Sequence, residues 1–157
     1  MKVLVLRSLE SSVEVDNEIT GKIDKGLVLL VGFTYDDNIK DIEYMIDKII
    51  NLRIFDDENG IMNKSILDVG GSILSISQFT LYADARKGNH PSYIDAMKGE
   101  EAIKMYELFN QKLEEHVNVQ KGIFGADMKV SITNDGPVTI MLESRANYQK
   151  QTGLQTS

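Results

Sequence analysis

Residues 73–84 read Ile-Leu-Ser-Ile-Ser-Gln-Phe-Thr-Leu-Tyr-Ala-Asp (ILSISQFTLYAD), and the rest of the chain is organised to support them. Ile73, Leu74 and Ile76 form an apolar run of strand length after Gly70 and Gly71, the pattern of a buried strand. Ser77, Gln78, Phe79 and Thr80 then break it. A strand packed into a core gains nothing from a serine and a glutamine at its end unless that end opens onto a pocket or solvent. A second interruption lies at 131–140 (SITNDGPVTI), where Asn-Asp-Gly-Pro separates two β-branched runs.

Upstream, KVLVLR at 2–7 reads as a strand buried on both faces, and 11–15 with 18–23 as a hairpin turning at Asp16 and Asn17. Residues 26–33 make another buried strand, and such short connections favour antiparallel pairing. Asp36, Asp37 and Asn38 offer N-caps and favourable charge for a helix over 39–51, with Ile39, Ile42, Ile46 and Ile49 on one face. Arg53 to Phe55 suggests a short strand ended by DDENG at 56–60. That acidic turn lacks the alternating oxygen ligands and closing glutamate of a calcium loop, so no metal is assigned.

Downstream, DARKGNHP at 84–91 is a loop in which Arg86 and Lys87 are candidate phosphate contacts. A second amphipathic helix is expected over 99–115, burying Ala102, Tyr106, Phe109 and Leu113. Alternation from Met128 to Thr133 predicts a strand with one wet face, and 138–143 the last strand. The expectation is one α/β domain over 1–143, about seven largely antiparallel strands covered by two main helices, then a tail over 144–157.

With 157 residues, 42% apolar and 26% charged, the composition is that of a globular chain able to bury a core. Cysteine is absent, which excludes disulfides, thiolate catalysis and cysteine-based zinc sites. The opening MKVLVLRSLESS has an apolar run too short for a signal peptide or a membrane span, so a cytoplasmic protein with no membrane partner is expected. A formal net charge of −7 argues against a protein that tracks a long nucleic-acid backbone, and no DNA partner is expected. Gripping one end of an RNA remains open. Arg145 and Lys150 make the tail locally basic, the pattern of a solvated segment.

Conventional catalysts are scarce. His90 sits in the 84–91 loop, and His116 follows the second helix, where contact with the helix C-terminus accounts for it. No G-x-S-x-G pattern supports a triad built on Ser75 or Ser77. What is left is a site that works by backbone and position. Amides of Phe79 and Thr80 can meet a developing oxyanion if the chain turns there, each worth about 3 kcal/mol in a dry site. Ser77 and Gln78 would orient the substrate. Thr80 is either a nucleophile without an adjacent base or a residue chosen for strand propensity. Gly136-Pro137 is either ordinary turn chemistry or a specified cis bond. On the residues alone, the reaction of this pocket stays open.

SQFTLYAD at 77–84 and TNDGPVT at 133–139, in this order and spacing, together resemble the D-aminoacyl-tRNA deacylase family. The resemblance extends through the strand ending at Arg7, RIFDDENGIMN at 53–63, GNHPSY at 88–93 and GIFGADM at 122–128, and so covers roughly residues 1 to 143. It implies hydrolysis of the ester between a D-amino acid, or glycine, and the terminal ribose of tRNA, with no cofactor. It also implies a barrel-like sheet and a homodimer with active sites at the interface. Ser77 and Gln78 would match residues beside the scissile ester, with Phe79 and Thr80 supplying backbone amides. Gly136 and Pro137 would match a cis dipeptide whose two carbonyl oxygens enter the neighbouring subunit's pocket, and Arg7 the residue that holds it.

Carbonyls placed where an L side chain projects exclude the L ester, whereas glycine has nothing to clash. In the mechanism the resemblance implies, the ribose 2′-hydroxyl assists, which fits a site without a side-chain base. Two departures are an acidic SLESSVEVD after Arg7 and the extended tail. Two other functions fit the same pocket: hydrolysis of other small acyl esters, and non-catalytic binding of an aminoacyl or nucleotide end by a dimer.

Overall fold

The computed structural model of the chain describes residues 1–145. Its centre is a five-stranded sheet built from Lys2–Ser8 (β1), Gly26–Gly32 (β4), Ser72–Ser77 (β7), Val119–Lys121 (β8) and Asn134–Glu143 (β10), in the order β10-β1-β4-β7-β8. Ser11–Val15 (β2) and Glu18–Ile23 (β3) form the expected hairpin, and Lys129–Ser131 (β9) adds to it on the β2 side. Phe55–Asp56 (β5) and Met62–Lys64 (β6) make a small ribbon.

Strands β4 and β7 run parallel, as do β7 and β8; the other five pairings are antiparallel. A parallel pair requires a crossover, and helices supply it. Ile39–Asn51 (α1) and the short Ile66–Val69 (α2) lie between β4 and β7, and Gly99–Glu114 (α3) between β7 and β8. Both long helices land on one face of the sheet, where Leu27, Leu29, Val31 and Ile73 meet Ile42, Met45, Ile49, Phe109 and Leu113. On the opposite face Val28, Leu74 and Ile76 meet Val13 and Ile23 of the smaller sheet. Neighbouring residues of β4 and β7 therefore feed different cores, which is why these strands read as continuous apolar runs.

The α1 boundaries follow from capping. Asn38 accepts from Lys40 N at 2.8 Å, and the Asp41 side chain accepts from Asn38 N at 2.9 Å. The buried stripe is Ile42, Met45, Ile46, Ile49 and Ile50; Ile39, expected on it, is 45% exposed because the stripe begins a turn later. In β1 Leu4 and Leu6 are only half-buried between the buried Val3, Val5 and Arg7, so that strand is not sealed on both faces as its composition suggests.

The sheets do not close into a barrel. β8 and β3, at the edges of the two sheets, lie close, with a Cβ at Gly21 falling 2.9 Å from Lys121 O, but they form no ladder. Among the described residues no helix is long and apolar enough to cross a membrane. Arg145, which has no acidic neighbour in sequence, pairs with Asp37 at 3.2 Å and donates to Tyr35 O. The rest of the expected tail, Lys150 included, lies outside the described residues.

Candidate active site

The ladder between β4 and β7 ends with Val31 opposite Ser77, and Gln78 N donates to Val31 O at 2.7 Å. The chain then turns into a 3₁₀ helix over Phe79–Tyr82 that lies across the end of β4. Gly32 makes room for it: a Cβ there would sit 3.0 Å from Gln78 O and 3.2 Å from Leu81 Cβ. As the first residues of this helix, Phe79 and Thr80 have no carbonyl of the same turn to donate to. The polar break of the sequence is therefore a strand end that presents backbone amides.

A cleft of about 450 Å³ adjoins this turn, lined by Ser77, Gln78, Phe79 and Thr80 together with Phe124, Ala126 and Asp127. Beneath it, Tyr106 donates from its hydroxyl to Ser75 O at 2.7 Å. Burial pushes the Tyr106 phenol above its usual pKa, so it stays a donor and pins β7 just before the turn. Gln78 donates from Nε2 to Thr80 Oγ1 at 3.0 Å. Neither His90 nor His116 lines the cleft; His116 borders a separate groove between α1 and α3 with Glu43 and Lys112.

The second interruption is a bulge. Leu6 pairs with Thr139 and Ser8 with Asn134, so Arg7 alone opposes the four residues Asp135, Gly136, Pro137 and Val138. Arg7 is 8% exposed and holds the bulge from below. Its Nε donates to Asp135 O at 3.1 Å and its Nη1 to Ile54 O at 2.9 Å, with Asp56 and Asp135 carboxylates each at 3.5 Å. Gly136 has φ +123°, and the Gly136–Pro137 bond is cis. Both residues are exposed, and neither they nor Arg7 lines the cleft of their own chain.

The family model of D-Tyr-tRNA(Tyr) deacylase matches residues 4–143. The chain belongs to that family. As a member it is a deacylase, an ester hydrolase acting on D-aminoacyl-tRNA. Among solved structures, one described as a c-Myc DNA unwinding element binding protein is similar at 42% identity and TM-score 0.87, over 92% of this chain and 99% of its own. Another, a probable eukaryotic D-amino acid tRNA deacylase, shares the fold at TM-score 0.77 and 16% identity, over 90% of this chain and 97% of its own.

Two groups within one deacylase chain thus stand apart: Ser77 to Thr80 at the cleft, and Arg7 with Gly136 and Pro137 at the bulge. Sequence reading missed Asp127, the one charged residue among those lining the cleft. The signal was a carboxylate in a glycine-punctuated loop. Gly125 has φ +78° in a turn closed by Ala126 N on Ile123 O at 3.2 Å, and the bare Gly122 leaves space for the Met128 side chain. Arg86, a candidate phosphate contact, is taken by Asp84 through two bonds of 2.9 and 2.8 Å, and this partner depresses the Asp84 carboxyl to a pKa of about 2.

Proposed function

We propose that the deacylase cleaves the ester joining a D-amino acid, or glycine, to the terminal ribose of tRNA, with the Phe79 and Thr80 amides stabilising the oxyanion. The observation that carries this reading is a strand end whose first two 3₁₀ residues, Phe79 and Thr80, line a cleft without a histidine. Water adds to the ester carbonyl carbon, and the negative charge that forms on its oxygen meets the two amides. Collapse of the tetrahedral species expels the ribose 3′-oxygen, which takes a proton relayed by the neighbouring 2′-hydroxyl. Free amino acid and tRNA leave. Ser77 and Gln78 orient the ester, and Asp127 faces its α-ammonium.

Side-chain rejection comes from a second copy of the chain. Gly136 and Pro137 are exposed and do not line their own cleft, which supports a role for their carbonyl oxygens in a partner's cleft, with Arg7 setting their direction. An L side chain meets those oxygens, a D side chain points away, and glycine passes. In this reading the catalytic unit spans 1–143, and a charged-tRNA substrate fits a cytoplasmic enzyme. Binding of a DNA element, named for the 42%-identical structure, gains no support from a chain of net charge −7.

Subunit mixing tests the shared site. Gln78→Ala damages the cleft, and Gly136→Ala places a Cβ 2.8 Å from Val138 Cγ2 at a φ that L residues avoid. Gln78→Ala alone is expected to cleave neither tyrosyl-tRNA ester, and Gly136→Ala alone to cleave the L ester as well as the D ester. Co-refolded in equal amounts, roughly half of the intact clefts face an intact dipeptide in a two-fold dimer, so L-tyrosyl-tRNA cleavage per Gly136→Ala subunit should fall about twofold while D cleavage is unchanged. Unchanged L cleavage in a mixture shown to exchange subunits would place both groups in one subunit's function.

A further inference from the structure

We propose that Tyr106 is a positioning residue for deacylation: from beneath the cleft its hydroxyl completes the edge of β7 where β8 stops, and so fixes the turn that carries the Phe79 and Thr80 amides. This deepens the deacylase reading and rests on it. Tyr106 lies on the buried stripe of α3 with Ala102, Phe109 and Leu113, and is 4% exposed. Packing on that stripe asks only for an apolar ring, so the hydroxyl needs an account of its own.

Parallel pairing of β7 with β8 ends at Ser75 opposite Lys121, whereas β7 runs on to Ser77. The Ser75 carbonyl points to the β8 edge, where it accepts a long bond from Gly122 N at 3.4 Å, and the backbone of Ser77, two residues on, points to the same edge. There β8 offers it no partner, and the Tyr106 hydroxyl takes that place. It donates to Ser75 O at 2.7 Å. Burial raises its pKa, and the Ser75 and Asn110 side chains and the Ser77 N–H oppose that rise as donors to the phenol oxygen. The other edge is held by β4, through Gln78 N on Val31 O at 2.7 Å. With both edges held, the residues after Gln78 start from a fixed point. The Tyr106 ring also packs on Phe124, with centroids 5.9 Å apart, and Phe124 lines the same cleft as Ser77. Tyr106 itself does not line it, so one side chain ties two lining segments together and acts through them.

Tyr106→Phe removes the one oxygen and keeps the ring. In steady-state deacylation of D-tyrosyl-tRNA by the full chain, kcat should fall roughly ten- to hundredfold while KM stays within about twofold, the cost of a misplaced rather than a missing group. A merely structural role would lower thermal stability and leave kcat per folded molecule unchanged. In a Phe79→Pro background, which already lacks one of the amides, the same change should bring a smaller fold-loss, because both act on one turn. Hydrogen exchange of the wild type reads the contact without a variant: the Ser77 amide should be protected like that of Ile76 inside the ladder. Unchanged kcat in folded Tyr106→Phe, losses that multiply with those of Phe79→Pro, or a Ser77 amide that exchanges as an open edge would each overturn the inference while the deacylase reading stands. If the wild type leaves D-tyrosyl-tRNA intact, the reading itself falls.

Discussion

Gln78 donates from Nε2 to Thr80 Oγ1 at 3.0 Å, so the one hydroxyl that sequence reading marks as a nucleophile is occupied as an acceptor with no base beside it. In the proposed mechanism its backbone amide, not its hydroxyl, acts. Thr80→Val should therefore keep D-tyrosyl-tRNA deacylation within about threefold of wild type, whereas loss of an oxyanion donor costs about 10²–10³ in rate. Phe79→Pro fits the first helical position and deletes the amide, and Phe79→Ala controls for the ring. Single-turnover rates should place Phe79→Pro far below Phe79→Ala. Loss of all activity in Thr80→Val would make the hydroxyl the nucleophile.

Arg7 serves two structures at once, the bulge through Asp135 O and the chain just before β5 through Ile54 O. Lysine has no planar fork with which to reach both. Arg7→Lys should cost about 2 kcal/mol of stability, the scale of losing a charge-assisted bond in a buried setting. In activity it should lower the ratio of D- to L-tyrosyl-tRNA cleavage more than it lowers the D rate. A unchanged ratio, measured on folded protein, would remove Arg7 from the filter.

Asp127 lines the cleft, and in the proposed pose it faces the amino group of the substrate, which is positively charged until it is acylated. Asp127→Asn is expected to raise KM for D-tyrosyl-tRNA and to have no effect on N-acetyl-D-tyrosyl-tRNA, which lacks the ammonium. Equal effects on both esters would show that the carboxylate does something else.

The Asp84–Arg86 pair gives a pH signature. The Asp84 pKa is depressed to about 2 by the adjacent guanidinium, so the pair's contribution to loop order is present above the ordinary carboxylate value of about 4 and is lost as pH falls through about 2. Carbon NMR of the Asp84 carboxyl should show that low midpoint, and Arg86→Ala should return it to the ordinary range. A wild-type midpoint near the ordinary value would mean that Arg86 is free to meet phosphate after all.

Local signals made part of this structure legible. Asp16 and Asn17 both adopt positive φ, 50° and 66°, a conformation these side chains tolerate, and the hairpin lies where they put it. Asn38 and Asp41 fix the start of α1 through bonds to nearby amides. Ser65 and Asp68 carry the same capping signature for α2, ended by Gly70 at φ 64°, and only its shortness hid it beside an apolar strand. The stand of Arg7 beneath four residues of β10 has no local signature, since it joins positions more than a hundred residues apart. The parallel pairing of β4 with β7 and of β7 with β8 is likewise tertiary: β8 has three residues and no pattern long enough to announce a strand. In the site, Ser77 to Thr80 were visible because polar residues at the end of a buried strand need a reason; Asp127 becomes significant only once its loop is folded across from them.

The most direct test of the account is hydrolysis of matched D- and L-tyrosyl-tRNA by the purified chain under identical conditions. Rapid release of D-tyrosine with the L ester left intact is the predicted result. Cleavage of both esters at similar rates, or of neither, would contradict it.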